Sequence, residues 1–156
     1  MSPACDLLLV GSAAAWATGC LPPWREDYDD IDFVGSPDMI AVVAHHFGVT
    51  EVRQSPTKGR YWMFGAARFI EFATPDYGAN HLLLDLQGHI AVNFHGLTCC
   101  AISPTTQAMI KEVWSQRDHK RDAHLRDWHF FCKFANPTVE HLNLRDAMRL
   151  EIVARP

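Results

Sequence analysis

An α+β fold is predicted by three features of the sequence. Short apolar runs bounded by glycine, proline and polar residues recur through roughly the first hundred positions and read as strands. Helical signals among them are few. From Ser103-Pro104 onward, apolar residues fall instead at three- and four-residue spacings, the pattern of helices that bury one face. Strands with an early helix, followed by a helical tail, make a layout in which sheet and helices are largely segregated.

Each element has its own signal. Leu7 to Val10 is a continuous apolar run that stops at Gly11-Ser12, a buried strand ending in a tight turn. An Ala-rich helix follows from Ala13 and is ended by Gly19 and Pro22-Pro23. Trp24 to Asp29 is polar and reads as a loop leading into a strand over Ile31, Phe33 and Val34, with Asp30 and Asp32 at its polar positions. Ser36-Pro37-Asp38 supplies an N-cap, a first-turn proline and an acid, predicting a helix that Gly48 closes. Glu51 to Gln54 and Arg60 to Phe64 flank Ser-Pro-Thr-Lys-Gly as a hairpin, and Phe69 to Ala73 is a strand with Glu71 at its centre. Asn80 to Leu86 reads as a short helix and Ile90 to Phe94 as a further strand. In the tail, helices are expected from Ser103-Pro104, from Arg121 to Phe134 and from Val139 to Val153, with Asn136-Pro137 between the last two.

With 156 residues, 48% of them hydrophobic, the chain buries one sizeable core and is short for two domains. The expectation is a single domain over residues 1–156, with a sheet region at 1–100 and a helical tail at 101–156. The net charge of -4 hides an asymmetry. Residues 1–100 carry 5 Lys/Arg against 11 Asp/Glu, whereas residues 101–156 carry 9 against 7. An acidic half suited to cations thus precedes a mildly basic half suited to phosphates, with no polybasic run to mark a nucleic-acid or membrane binder. Cysteines at 5, 20, 99, 100 and 132 form no C-x-x-C pair, and their odd number argues against a closed disulfide framework, so reduced thiols in a cytoplasmic setting are expected. Leu7 to Cys20 has the outline of a lipoprotein signal, but Met1 to Asp6 carries an acid and no base. No apolar run approaches the roughly 20 residues of a membrane helix.

The chemistry-bearing residues are acids. Asp30 and Asp32, two apart on a strand, point to one face and can bridge a pair of divalent cations. Glu71 lies between Ile70 and Phe72, where the desolvation cost of an acid is offset if it holds a metal. Gly11 at a strand end lets the backbone approach a ligand closely, and the Ser12 hydroxyl with nearby amides can hold phosphate oxygens. Asp85, between Leu84 and Leu86, is the reserve third carboxylate.

Val10-Gly11-Ser12, then Asp30-Ile31-Asp32-Phe33-Val34, then Ile70-Glu71-Phe72 resembles the nucleotidyltransferase superfamily, whose minimal members share a palm fold with DNA polymerase beta. The resemblance spans roughly residues 6 to 130 and is nearest to small uncharacterised proteins, many from phages. It implies a mixed sheet flanked by helices with a helical C-terminal segment. It implies two Mg²⁺ or Mn²⁺ ions held by Asp30, Asp32 and Glu71, with Glu71 also helping to deprotonate an attacking hydroxyl. It further implies a nucleoside triphosphate such as ATP gripped at Gly11 and Ser12. In such proteins a lysine after the palm often meets the triphosphate, and Lys111, His119, Lys120 and Arg121 are the candidates here. RNA, protein and small-molecule hydroxyls fit equally as acceptors.

Three other readings are weaker, and one remains a rival. His119, His124 and His129 are spaced by five, which does not stack two ligands on a helical face as a zinc helix does. A sugar transferase would place a nucleotide-binding unit ahead of its Asp-x-Asp, and only 29 residues precede Asp30. Trp114, Trp128, Phe130, Phe131 and Phe134 at helical spacing read as core rather than as a base-stacking surface. The rival is a binding module that keeps the fold without catalysis, such as an antitoxin or an assembly partner.

Overall fold

The computed structural model describes residues 5–116 and 121–154. Strand β1 (Leu7–Val10) runs into helix α1 (Gly11–Ala17), and strand β2 (Ile31–Gly35) is followed by α2 (Met39–His46). Strands β3 (Glu51–Gln54), β4 (Arg60–Phe64) and β5 (Ile70–Ala73) precede the short helix α3 (Asn80–Asp85). Strands β6 (Ile90–Phe94) and β7 (Leu97–Ala101) complete the sheet, and α4 (Pro104–Trp114), α5 (Arg121–Cys132) and α6 (Val139–Ala154) form the tail. No helix among the described residues is long and apolar enough to cross a membrane.

The seven strands lie in the order β3-β4-β5-β2-β1-β7-β6. The sheet is mixed: β1 pairs antiparallel with β2 and parallel with β7, while β2 pairs parallel with β5. Leu8, Leu9, Phe33, Ile70, Phe72, Met63 and Phe94 are fully buried and make the core. The three central strands read as continuous apolar runs because both faces are covered. Asp32 and Glu71 are the departures from that pattern.

Helix α4 begins as its sequence requires, with Ser103 as N-cap accepting from the Thr106 N–H at 3.3 Å and Pro104 at the first helical position. Helix α2 starts at Met39, after a turn closed by Met39 N–H to Ser36 O (3.0 Å), rather than at Pro37 with Ser36 as its cap. Strand β7 is an addition to the sequence reading. It is joined to β6 by a two-residue turn in which His95 (φ 50°) and Gly96 (φ 89°) both lie in the left-handed region, the geometry of a tight hairpin. Residues other than glycine are uncommon there, and His95 carries no strong turn signal of its own, which hid the turn.

The cysteine reading is corrected: Cys5 and Cys100 form a disulfide that joins the approach to β1 to strand β7, leaving Cys20, Cys99 and Cys132 free. The register Leu8↔Cys100 brings the two chain segments together. The aromatic reading is corrected in part. Phe131 is core, but Phe134 is 52% exposed beyond the end of α5. Cys132 is also exposed, and the side chain that α5 buries beside Phe131 is Asp127.

Candidate active site

A cleft of about 430 Å³ opens between the ends of β1, β2 and β5, the 77–80 segment, and helices α4 and α6. Its polar wall includes Asp32, Glu71, Arg60 and Lys111, and its apolar wall includes Phe33, Ile110, Leu144 and Met148. Asp32 and Glu71 are direct partners across the parallel β2–β5 pair, so both side chains emerge on one face. Gly11, at φ +67°, bends the chain over them. A Cβ at that position would lie 2.9 Å from Asp32 Oδ2 and push the carboxylate aside, at a left-handed φ that already favours glycine. Gln107 holds the bend, donating from Nε2 to Gly11 O at 2.7 Å.

The Asp32 carboxyl is pushed up to about 7. Burial is the main cause, Glu71 and Asp30 add repulsion, and Lys111 and Arg60 offset only part of it. Among the described residues, no hydrogen bond reaches the Asp32 carboxylate. Glu71 is satisfied, because the Arg60 guanidinium ion-pairs with it from the neighbouring strand. In the β4–β5 register Trp62 faces Glu71, which leaves Arg60 on the diagonal of the same face, within reach of a long side chain.

Asp30 precedes β2 and is exposed, two residues from Asp32 and close enough to raise its proton affinity. It stands at the rim rather than in the lining. The Ser12 hydroxyl accepts from the Asp29 N–H at 3.0 Å and lines a small recess beside the cleft. Lys111 lines both spaces. Its Nζ lies 3.1 Å from Asp127 Oδ2, and Arg25 reaches the same oxygen at 2.9 Å. Burial alone would raise the Asp127 carboxyl, but Lys111 and Arg25 outweigh it and hold the carboxyl below its ordinary range. Trp24 Nε1 donates to the other oxygen at 3.3 Å. His119 and Lys120 lie outside the described residues, as does the side chain of Arg121. Asp85 is exposed on α3 and does not line the cleft.

Arg60, Asp127, Arg25 and Gln107 were not legible as site residues. Asp127 had a weak signal, lying four residues before Phe131 and therefore on the buried face of α5. Arg60 had none without the strand register.

Hard oxygen donors on adjacent strands, one of them largely shielded from solvent, without a hydrogen bond among the described residues and resisting ionisation, have the chemistry a divalent cation requires. The side chains as they stand are not a closed ligand set. Among the described residues, no group of three or more His, Cys, Asp or Glu side chains could hold a metal ion. Glu71, paired across the sheet with Asp32, is engaged by Arg60.

No protein-family model and no curated protein matches the chain by sequence. Solved structures do match. An antigenic nucleotidyltransferase-like protein from Paracoccidioides brasiliensis superposes with a TM-score of 0.54 at 17% identity, over 97% of this chain and 81% of its own. ANT(2")-Ia, solved in complex with adenylyl-2"-tobramycin, superposes with a TM-score of 0.59 at 13% identity, over 95% of this chain and 89% of its own. Both likenesses run along almost the whole chain, so the mixed sheet with its helical C-terminal segment is the nucleotidyltransferase-like fold.

Proposed function

We propose that the protein transfers a nucleoside monophosphate from a nucleoside triphosphate to a hydroxyl acceptor. The observation that carries this reading is the pairing of Asp32 with Glu71 across β2 and β5, beneath the Gly11 bend and inside a cleft. Asp30 and Asp32 would hold two Mg²⁺ or Mn²⁺ ions, and Glu71, released from Arg60, would complete one site. Bound there, such ions would neutralise charge on the attacking and leaving oxygens. Glu71 would also take the proton of the acceptor hydroxyl. Arg60, freed from Glu71, and Lys111 would balance the triphosphate, with the Ser12 hydroxyl and the Gly11 backbone beside them. ANT(2")-Ia was solved with an adenylylated small molecule, which supports nucleotidyl transfer as the class of reaction and a small hydroxyl compound as one class of acceptor alongside RNA and protein.

A second reading is a binding module that holds nucleotide without turnover. It is favoured by one observation, the Arg60–Glu71 pair that occupies the third carboxylate. Incubation with each labelled triphosphate, Mg²⁺ or Mn²⁺, and RNA, protein or hydroxylated metabolites separates the two. Labelled product from the parent that Asp32→Asn abolishes supports the enzyme. Metal-dependent nucleotide binding with no product supports the binding module. A parent that neither binds nor transfers refutes both.

A further inference from the structure

Asp30 stands on the last residue of a polar loop, outside the hydrogen-bond ladder of the sheet, yet it must sit reproducibly beside Asp32 if the two act together. The structure supplies a device for this in Arg68, which lies two residues before β5 begins. The Arg68 Nη1 atom donates to the carbonyl oxygens of Tyr28 and of Asp29, the latter at 3.1 Å. Its Nη2 donates to the Asp27 carboxylate at 2.5 Å. The guanidinium also lies over the Tyr28 ring, 4.1 Å from its centroid. One planar five-donor head thus binds three consecutive residues, 27 to 29, that lead directly to Asp30.

The far side of the loop is tied as well. Tyr28 Oη lies 2.6 Å from His95 Nε2, the Asp29 N–H donates to Ser12 Oγ, and Arg25 pairs with the Asp29 carboxylate at 3.0 Å. On the other flank of Asp30, the Ile31 N–H donates to Phe69 O at 3.0 Å, next to Arg68 in the chain. Residues on both sides of Asp30 are therefore fastened to the segment that starts β5, the strand of Glu71. Arg68 fastens one flank through its side chain and Phe69 the other through its backbone.

We propose that Arg68 is the positioning residue of this site, holding residues 27–29 against the start of β5 so that the Asp30 carboxylate is presented beside Asp32. It touches no reacting atom itself. The part of the proposal that concerns metal rests on the functional reading above, whereas the clamp on the loop does not. Lysine keeps the charge but lacks the planar fork and the stacking face, so it cannot serve all four partners.

Hydrogen exchange of a peptide covering residues 24–30, in protein free of divalent ions, tests the clamp. Arg68→Ala is expected to speed exchange there by roughly tenfold or more, and Arg68→Lys by less, with peptides covering β1 and β5 unchanged. Unchanged loop exchange in Arg68→Ala overturns the proposal, and so does equal acceleration through the whole sheet, which would make Arg68 a general stabiliser. If Arg68→Ala does not fold, Arg68→Lys carries the same two outcomes. Mn²⁺ titration of the parent and variants tests the metal part. Arg68→Ala should weaken Mn²⁺ by about 10-fold, the low end for residues that support ligands, and should add little to Asp30→Asn in the double variant. Full additivity overturns it. A parent that binds no Mn²⁺ refutes the functional reading while leaving the exchange result to judge the clamp.

Discussion

Replacing Asp32 by asparagine should stabilise the protein when no divalent cation is present. The folded state holds this carboxyl at about 7 against an ordinary 3.8, because burial and the neighbouring Glu71 and Asp30 all oppose its charge. Between those two values the unfolded chain has lost the proton and the folded chain has kept it. The folded state therefore binds more protons, and stability falls as pH rises through that window. A shift of about 3 units corresponds to a ceiling of about 4 kcal/mol. Partial access to solvent and the shared charge with Glu71 argue for about half of it, about 2 kcal/mol. Asparagine has the same shape and no charge to lose, and no hydrogen bond to the carboxylate is forfeited. For a chain of this size, about 2 kcal/mol raises Tm by about 4–8 °C. Thermal melts of parent and Asp32→Asn in EDTA, from pH 4 to pH 8, measure it. The difference in Tm should be near zero at pH 4, grow through pH 5 to 7 and level off above. Mg²⁺ or Mn²⁺ should then raise the Tm of the parent and leave the variant unmoved. An asparagine variant no more stable than the parent at pH 8 would mean that Asp32 is comfortable as an anion, and the electrostatic case for a cation site would be lost.

Three further outcomes are expected. Gly11→Ala places a methyl 2.9 Å from Asp32 Oδ2 at a left-handed φ, so it should cost about 1–2 kcal/mol in urea unfolding and abolish any Mn²⁺ binding; a variant that binds Mn²⁺ as the parent does would refute the close approach. Asp127→Asn leaves Lys111 and Arg25 without the buried carboxylate they share, and should cost about 2–4 kcal/mol at pH 7; parent-like urea stability would show the pair to be dispensable. His89 and His141 are buried, each with one ring nitrogen lacking a hydrogen-bond partner among the described residues, and burial holds both below the ordinary histidine range. The unfolded chain therefore takes up protons first as pH falls below 6.5, so stability should drop on acidification from about pH 7 to 5. Melts in the Asp32→Asn background, where the opposite trend of Asp32 is gone, should show this slope, and His89→Gln should flatten it.

Local grammar made much of the molecule legible. Leu7 to Val10 ending in Gly-Ser, the Asp-x-Asp strand and the apolar-Glu-apolar strand each declare themselves within a few residues, because burial on both faces demands continuous apolar side chains and an acid among them stands out. Ser103-Pro104 marks a helix start by the same local logic. Strand β7 escaped because its turn uses His95 where glycine or asparagine would have signalled. Helix α2 began two residues late because Ser36 and Pro37 formed a turn that competes with the first helical turn.

The sequence by itself determined most of the order of elements, β7 excepted, together with the α+β class and the residue types that could carry chemistry, since these follow from periodicity and side-chain character along a few consecutive positions. Only the tertiary structure decided which of those residues meet. The parallel register of β2 and β5 brings Asp32 opposite Glu71, the antiparallel register of β4 and β5 brings Arg60 to Glu71, and the packing of α4 against α5 brings Lys111 to Asp127. The same sheet order joins Cys5 to Cys100 across a separation of 95 residues. Pairings at such distances along the chain depend on strand register and helix packing, which the whole core sets at once and no short stretch encodes.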